Sequence, residues 1–411
     1  MRGGEALGKN NIVASLDLGS SKICCMIGKI TDSGDIDILG YGITASSGIK
    51  KGIVINVDLA VQSISKAVGQ AEEMSGIKLS QVVIGLSGES IKLFDNRGVV
   101  AIPRSNGEIT HQDVERALQA SKIMAIPYDR EIIDIIPREF IVDGCEGIKD
   151  PIGMVGTRLE VHACIITGIM TATYNIARCV EKAGLSIGAI VLKPLAAAEM
   201  LLTADEMDMG VVLVDVGAGT TEGSVFEDGC ISHYELIPVG GEFITNDIAI
   251  GLRLPYARAE EIKCSYACAN RSIASDKIEI EIQSMGETNI RKITQKDLAA
   301  IVQPRIQEIL SFVLKTINDF QLDPLPPAGI VLSGGGLIHI DGALSMARQM
   351  FNLPVRLGIT DSFDKEQSFT VALGLLYYSV RNKIGLNENN AKERAAISFF
   401  ERAKRIIREY F

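Results

Sequence analysis

The stretch VLVDVGAGTTEGSVF, residues 212–226, decides how the rest of the chain is interpreted. An apolar, β-branched run ends in Asp215, and a turn of small residues leads into a second β-branched run. This pattern predicts a β-hairpin whose turn exposes backbone N–H groups with little side-chain bulk. Such a turn suits the oxygens of a polyphosphate, and a carboxylate at the strand end suits Mg²⁺ held through water. Ordinary hairpins share this composition, so one copy of the pattern does not distinguish a phosphate-binding turn from an ordinary hairpin.

A second copy of the same plan lies near the start of the chain. VASLDLGSSKICCMIGKI, residues 13–30, places Asp17 198 positions before Asp215. In this copy Ser20, Ser21 and Lys22 offer donors and one positive charge. Two matching hairpins, each followed by helical patterns, predict a duplicated architecture of two α/β lobes that clasp one phosphate chain from both sides.

A third glycine cluster, GIVLSGGGLIHIDG at residues 329–342, again follows an apolar strand. Its three consecutive glycines would let an aromatic ring lie flat against the backbone. Two acid–glycine–hydroxyl hairpins and one glycine cluster, in this order, are the pattern of the superfamily that contains actin, sugar kinases and DnaK-type ATPases.

Within that superfamily the chain resembles the FtsA family of bacterial division proteins along nearly its whole length. The resemblance is carried by IPVGGEFITNDIAIGL (237–252) followed by AEEIK, by DPIGMVGTRLEVHACIITG (150–168) with the text around 109–117, and by FTVALGLLYYS (369–379). It implies a two-lobed actin-like ATPase fold of the α/β class with an inserted small α+β subdomain, usually called 1C.

The resemblance also implies which residues bind ATP and Mg²⁺. The first phosphate loop corresponds to Asp17, Gly19, Ser20, Ser21 and Lys22; the second to Asp215, Gly217, Gly219, Thr220 and Thr221; the ribose contacts to Glu260 and Lys263; and the adenosine motif to Gly334, Gly335 and Gly336. Asp17 and Asp215 would hold Mg²⁺ through water.

Three positions depart from the family pattern. Ala218 replaces a glycine, and Glu222 replaces the last Asp of the second loop and is the one possible catalytic residue. Lys193, before Pro194, stands where hydrolytic relatives carry a Glu that positions the attacking water. An ammonium group does not act as a general base at neutral pH unless its pKa is strongly lowered, so we expect weak or no ATPase activity.

These patterns give predicted boundaries. The first lobe covers 1–81 and 164–200, the inserted subdomain 82–163, the second lobe 201–381 with a strand-rich subdomain at about 246–300, a polar linker 382–395, and an amphipathic helix 396–411. The first helix of the inserted subdomain is expected to begin after Thr110 as its N-cap.

The last segment combines bulky apolar residues with a basic face. Its predicted membrane-binding residues are Phe399, Phe400, Arg402, Lys404, Arg405, Ile406, Ile407, Arg408, Tyr410 and Phe411, against two acids, Glu401 and Glu409. A basic amphipathic helix on a polar linker is typical of peripheral binding to anionic lipids. Docking on the protein's own core is the alternative, and the resemblance favours the membrane.

Composition excludes some function classes. The net charge of −10 argues against a nucleic-acid partner, since phosphate contacts need a basic face. The eight cysteines form no CxxC pair, and no apolar run is long enough to span a bilayer.

The resemblance implies a protein that polymerises with itself and, at the cytoplasmic face of the plasma membrane, tethers the tubulin-like GTPase FtsZ through the FtsZ C-terminal tail, alongside other division proteins. Two alternatives stay open at this point: a PilM-type pilus-assembly adaptor and a metabolite kinase of the same superfamily. An amphipathic C-terminal anchor is expected for neither.

Overall fold

Two five-stranded sheets with the same strand plan form the framework of the chain. The computed structural model describes residues 11–103, 107–124, 126–286, 289–360 and 369–383. The first unit consists of the described residues of Met1–Ala196, Asp228–Ser232 and Val371–Phe411, and the second consists of those of Ala197–Glu227 and His233–Thr370.

The first half of the chain, in order, forms β1 (Ile12–Leu18), β2 (Lys22–Ile30), β3 (Ile36–Ala45), β4 (Ile49–Lys50), β5 (Ile53–Val54), α1 (Val57–Ser75), β6 (Gln81–Leu86), β7 (Lys92–Ala101), α2 (His111–Ser121), β8 (Arg130–Val142), β9 (Cys145–Ile148), β10 (Arg158–Ile169), α3 (Met170–Lys182), β11 (Ser186–Leu192) and α4 (Lys193–Leu201). The remainder forms α5 (Ala204–Met209), β12 (Val211–Val216), β13 (Thr221–Glu227), β14 (Cys230–Ile237), α6 (Gly241–Leu252), α7 (Tyr256–Tyr266), β15 (Glu279–Ile282), β16 (Arg291–Thr294), α8 (Gln295–Asp319), β17 (Ile330–Ser333), α9 (Ala343–Met350), β18 (Val355–Leu357) and α10 (Thr370–Arg381).

The sheet of the first unit has the order β11-β6-β1-β2-β3, and the sheet of the second has β14-β13-β12-β17-β18. In each, an antiparallel meander of three strands is extended beyond its first strand by two further strands that run parallel to it. Consecutive residues of β1 and β12 are buried without alternation, as expected for strands covered on both faces. The duplication predicted from the two hairpins is confirmed.

A separate sheet, ordered β7-β10-β8-β9, follows β6 and packs with α2 around its own apolar core. This is the expected α+β insertion, but it begins later than predicted, because residues 82–86 belong to β6 and pair with β1 and β11 in the first sheet. Helix α2 begins after Thr110, the predicted N-cap, and the Thr110 backbone N–H donates to the side chain of Asp113 as one half of a capping box.

The expected strand-rich stretch at about 246–300 contains only two strands of four residues, β15 and β16, which pair with each other. Helices α6 and α7 and the start of α8 occupy most of it. The threonine and isoleucine residues of this stretch recur mostly at the spacing of a helix. Thr294 caps α8 by accepting a hydrogen bond from the Asp297 N–H.

Helix α10 is grouped with the first unit from Val371 onward, although the sequence assigned residues up to 381 to the second lobe. Ser15 on β1 donates to the carbonyl of Ala372 at 2.6 Å, and Leu375 and Leu376 lie against Gly85 and Gly28. The helix therefore covers one face of the first sheet.

The helix predicted at 396–411 and nearly all of the 382–395 linker lie outside the described residues. Among the described residues, no helix has the length and apolar character needed to cross a membrane.

Candidate functional site

The two predicted phosphate turns are closed by the same backbone hydrogen bond. We call residues 19–22 the first turn and residues 217–220 the second turn. Gly19 donates its N–H to the carbonyl of Lys22 at 3.0 Å, and Gly217 donates to the carbonyl of Thr220 at 2.8 Å. A Cβ on Gly19 would lie 2.6 Å from the Lys22 oxygen, so the tight turn needs glycine there. The spacing from acid to glycine to turn end is identical in both.

The first turn is braced by the segment that precedes α1. The Ser20 Oγ accepts the N–H of Lys51 at 2.8 Å, which leaves the hydroxyl hydrogen able to donate. The Ser21 carbonyl accepts the N–H of Ser46 at 2.8 Å. Ser21 is exposed and Lys22 half-buried, so both side chains of the turn remain accessible to a ligand.

The carboxylate at the end of β1 forms an ion pair. The Lys193 Nζ lies 2.7 Å from the Asp17 Oδ1 and also donates to the carbonyl of Leu18 at 2.9 Å. Both side chains are almost enclosed, 12% and 13% exposed. The sheet order β11-β6-β1 explains the contact: Lys193 directly follows β11, and its stem crosses Gly85 on β6 to reach Asp17 on β1.

The carboxylate at the end of β12 is held differently. Asp215 lies beside Ser333 on the parallel strand β17, and the Ser333 Oγ donates to Asp215 Oδ2 at 3.1 Å. The next residue, Gly334, has φ +87°, and a Cβ there would lie 2.4 Å from the Val216 carbonyl and 2.6 Å from Asp215 Oδ1. The first predicted adenosine glycine thus packs directly against the second predicted Mg²⁺ carboxylate.

The glycine cluster and the second turn form one backbone surface. Gly336 donates its N–H to the Val216 carbonyl at 2.8 Å, and a Cβ on Gly336 would lie 2.5 Å from the Gly217 oxygen. Gly241, at the start of α6, donates to the same Gly217 oxygen at 2.9 Å. Gly335, in contrast, is exposed, and a Cβ there would meet nothing within 4 Å. The surface is therefore bare backbone at Gly335, where a flat ring can approach.

The remaining residues of the second loop are less accessible. Gly219 is buried, Thr220 is half-buried, and Thr221 is fully buried and donates its hydroxyl to the Val239 carbonyl at 2.8 Å. Thr221 thus fixes the loop. Glu222 lies opposite Asp215 in the β12–β13 register and accepts a hydrogen bond from the Tyr234 hydroxyl at 3.4 Å.

The predicted ribose pair lies on α7 and belongs to a larger cluster. The Lys263 Nζ lies 2.8 Å from Glu260 Oε2, 2.9 Å from Thr245 Oγ1 and 3.3 Å from the Gly241 carbonyl, and Thr245 also bonds to Glu260. Burial opposes ionisation of Glu260, but the hydrogen bonds from Lys263 and Thr245 lower its pKa overall. Lys263 is buried, so it fixes α7 to the N-terminus of α6 and leaves the more exposed Glu260 as the contact for a ligand hydroxyl.

The carboxylates fit Mg²⁺ unequally. No cluster of three or more potential metal ligands occurs in the described part of the chain, which is compatible with an ion that keeps most of its water. Asp215 accepts a hydrogen bond from the neutral Ser333 hydroxyl at Oδ2, a contact that leaves the negative charge of the carboxylate in place and fits a hydrated Mg²⁺. Asp17 already has an ammonium group at 2.7 Å.

Sequence reasoning placed the turns and the glycine cluster but missed their partners. Ser333, Thr245 and Gly241 each contact a predicted residue, and the signal for Ser333 was its place directly before the glycines. The sequence marks Lys193 only as a lysine at a position where hydrolytic relatives carry a Glu. Its pairing with Asp17 depends on strand order, which no local pattern encodes.

Comparison with known proteins identifies relatives along most of the chain. Residues 88–167 match the family described as the SHS2 domain inserted in FtsA, and residues 212–374 match the family described as cell division protein FtsA. The cell division protein FtsA of Pseudomonas aeruginosa is 36% identical over 378 residues, covering 90% of each chain. FtsA of Bacillus subtilis is 37% identical over 377 residues, covering 92% of this chain and 85% of that protein.

Solved structures with lower identity share the fold. The PilM–PilN type IV pilus biogenesis complex contains a chain with a TM-score of 0.63 at 17% identity, covering 90% of this chain and 98% of that one. MreB5 of Spiroplasma citri bound to ADP has a TM-score of 0.55 at 14% identity, covering 92% and 98%. At these identities the similarity establishes the fold alone.

Proposed function

Because the chain belongs to the FtsA family of cell division proteins, we propose that it is an ATP-binding membrane tether of the division machinery. In this proposal it binds ATP with Mg²⁺, associates with itself into filaments, and attaches to the cytoplasmic face of the plasma membrane through residues 396–411. It holds FtsZ there by the FtsZ C-terminal tail and meets further division proteins at the same place.

The repeated turn is the observation that carries the nucleotide part. The two turns are closed by the same hydrogen bond, and each begins two residues after the carboxylate near the end of its strand. Two ordinary hairpins would form without this match. The exposed backbone at Gly335 and the accessible carboxylate of Glu260 add places for a base and a ribose hydroxyl. The ADP-bound MreB5 structure supports the same use of this fold.

Equilibrium titration of the purified full chain with ATP and Mg²⁺ tests this part. We expect saturable binding and a rise in melting temperature, because a ligand that binds only the folded state stabilises it by mass action. Asp215→Asn should weaken binding, whereas Asp297→Asn, which alters an acid in the exposed cap of α8, should not. Unchanged affinity in Asp215→Asn would contradict the site assignment.

The membrane part rests on the sequence of the last sixteen residues. Burying a large aromatic or aliphatic side chain contributes about 1.5–3 kcal/mol, and each basic residue near an anionic surface about 1 kcal/mol. The cost of ordering the helix offsets part of this, so one helix gives reversible binding. Self-association multiplies it through multivalency.

Co-sedimentation with liposomes tests the tether. The full chain should pellet with anionic vesicles, and a chain ending at Ala395 should stay in the supernatant. Phe399→Ser/Phe400→Ser should lose binding to all vesicles, whereas neutralising Arg402, Lys404, Arg405 and Arg408 should lose only the preference for anionic lipid. FtsZ should pellet only when the full chain is present, and FtsZ lacking its C-terminal tail should not. Equal pelleting of the full and shortened chains would exclude residues 396–411 as the anchor.

Hydrolysis is expected to be slow, because Lys193 occupies the position of the water-orienting acid and its ammonium is already engaged with Asp17 and Leu18. Steady-state turnover within the usual enzyme range, roughly 1 per second or more, would contradict this.

The PilM-like fold does not favour the pilus adaptor, since that similarity stands at 17% identity against 36–37% for the division proteins.

A further inference from the structure

Lys193 lies in a seat that the fold builds for it. Its Nζ lies 2.7 Å from Asp17 Oδ1 and donates to the Leu18 carbonyl at 2.9 Å. A Cβ on Gly85 would lie 3.2 Å from its Cγ and 3.5 Å from its Cε, so the stem lies directly on the glycine backbone. The ammonium is thereby placed directly before the first turn, which begins one residue after Leu18.

The charges at this place decide what the lysine does. Asp17 and Lys193 together carry no net charge, whereas Asp17 alone would place a carboxylate beside a bound polyphosphate. Both side chains are enclosed to nearly nine-tenths, so water screens that repulsion poorly. An ion pair with so little exposure is itself not a strong source of stability, because desolvation offsets most of the attraction.

We propose that Lys193 is a built-in counter-ion of the first turn, which neutralises Asp17 and so makes polyphosphate binding less dependent on Mg²⁺. The inference rests on the proposed nucleotide binding and specifies how that site is regulated. Mg²⁺ supplies charge neutralisation when bound. Lys193 supplies part of it permanently.

The net charge of the Asp17–Lys193 pair, which lies beside the first turn, can be changed in single steps. It is zero in the natural chain, −1 in Lys193→Met, +1 in Asp17→Asn, and zero again in Asp17→Asn/Lys193→Met. The measured quantity is the ratio of the ATP dissociation constant in EDTA to that in Mg²⁺. We expect this ratio to be smallest for Asp17→Asn, equal within about threefold for the natural chain and the double variant, and at least about tenfold larger for Lys193→Met.

Lys182→Met is the matched control. Lys182 also belongs to the first unit and also lies near an Asp, Asp58, at 3.8 Å, but both side chains are well exposed. Its ratio should equal that of the natural chain. Urea unfolding of the ligand-free variants gives a second readout: Lys193→Met should unfold at a lower urea concentration than the double variant, because it leaves a buried carboxylate without its cation.

The outcomes separate this inference from the proposed function. If the natural chain binds no ATP in either condition, the nucleotide proposal fails and this one with it. If it binds ATP and the ratio of Lys193→Met equals that of the natural chain, only the counter-ion role is overturned. If Lys193→Met does not fold, Asp17→Asn and the double variant carry the test, and equal ratios in those two overturn the role.

Discussion

The first and second turns are closed by the same backbone hydrogen bond and differ in what holds the carboxylate before them. In both, a glycine N–H closes the turn onto the carbonyl three residues later. Asp17 pairs with an ammonium group, whereas Asp215 accepts a hydrogen bond from a hydroxyl. Duplication of a strand plan has therefore preserved the turn and changed the electrostatics around it.

One sheet position explains the difference. Gly85 lies beside Asp17 on the parallel neighbour of β1, and Ser333 lies beside Asp215 on the parallel neighbour of β12. The glycine leaves room for the Lys193 stem, and the serine fills the corresponding room with its own donor. Equivalent positions of the two sheets thus decide whether the carboxylate is paired with an ammonium group or hydrogen-bonded to a hydroxyl.

The largest expected effect comes from filling the backbone surface beside the second turn. Gly334→Ala should lower the free energy of unfolding by roughly 3 kcal/mol and abolish ATP binding, because the new Cβ meets a backbone carbonyl and φ is +87°. Circular dichroism during urea unfolding measures the loss. Gly335→Ala, with open space around its Cβ, is the control and should change stability by under about 1 kcal/mol. Equal losses in the two variants would contradict the described packing.

The two carboxylates give the next contrast. Asp17→Asn should lower the free energy of unfolding of the ligand-free chain by about 2 kcal/mol, because it leaves the enclosed Lys193 ammonium without its anion. Asp215→Asn should cost less than about 1 kcal/mol, because its side-chain oxygen can still accept from Ser333. The two urea midpoints measured side by side decide, and a larger loss in Asp215→Asn would reverse the interpretation of the pair.

A pH series sharpens the comparison, because it separates out the contribution that one acid of the inserted sheet, Glu131 on β8, makes to stability. Burial raises the pKa of Glu131 from 4.5 to about 8, and its Oε1 has no hydrogen-bond partner among the described residues. The folded chain keeps this proton where the unfolded chain loses it, so stability falls as pH rises from about 4.5 to 8. Allowing for partial exposure, the fall is on the order of 1–2 kcal/mol.

Glu131→Gln should remove that fall, and unfolding midpoints measured across the range check it. Glu115→Gln on the exposed side of α2 is the control and should leave the slope as in the natural chain. A steeper slope in Glu131→Gln would show that another group is responsible.

The smallest expected effect comes from changing Ser333 and its counterpart Gly85. Ser333→Ala removes the donor to Asp215 and should cost about 1 kcal/mol in stability. Gly85→Ser, the reciprocal change, should cost a similar amount by crowding Lys193 and Leu375. If both variants unfold like the natural chain, the two sheet positions do not set the environments of the carboxylates.

The hairpins, the glycine cluster and the inserted α+β domain could be predicted from sequence because each depends on local chemistry. Turn glycines, strand-end acids and the Thr110 cap act within a few residues. The Asp17–Lys193 pair and the placement of α10 could not, since they depend on which strands become neighbours. The strand-rich subdomain expected at about 246–300 is bounded too widely, because α6 and α7 occupy most of the residues that precede β15.

The place of α10 has a consequence for synthesis of the chain. Ser15 and Gly85, near the N-terminus, are covered by residues of a helix that begins at Thr370, whereas every described residue of the second unit precedes Val371. On the ribosome, the second unit can therefore finish folding while the first still lacks one of its covering layers. Strand β6 is also synthesised about a hundred residues before its neighbour β11, and the inserted sheet is made in between. A half-covered sheet with an open edge is prone to pair with other chains. The first unit is thus the last to be completed and the one most exposed to aggregation when translation stops early.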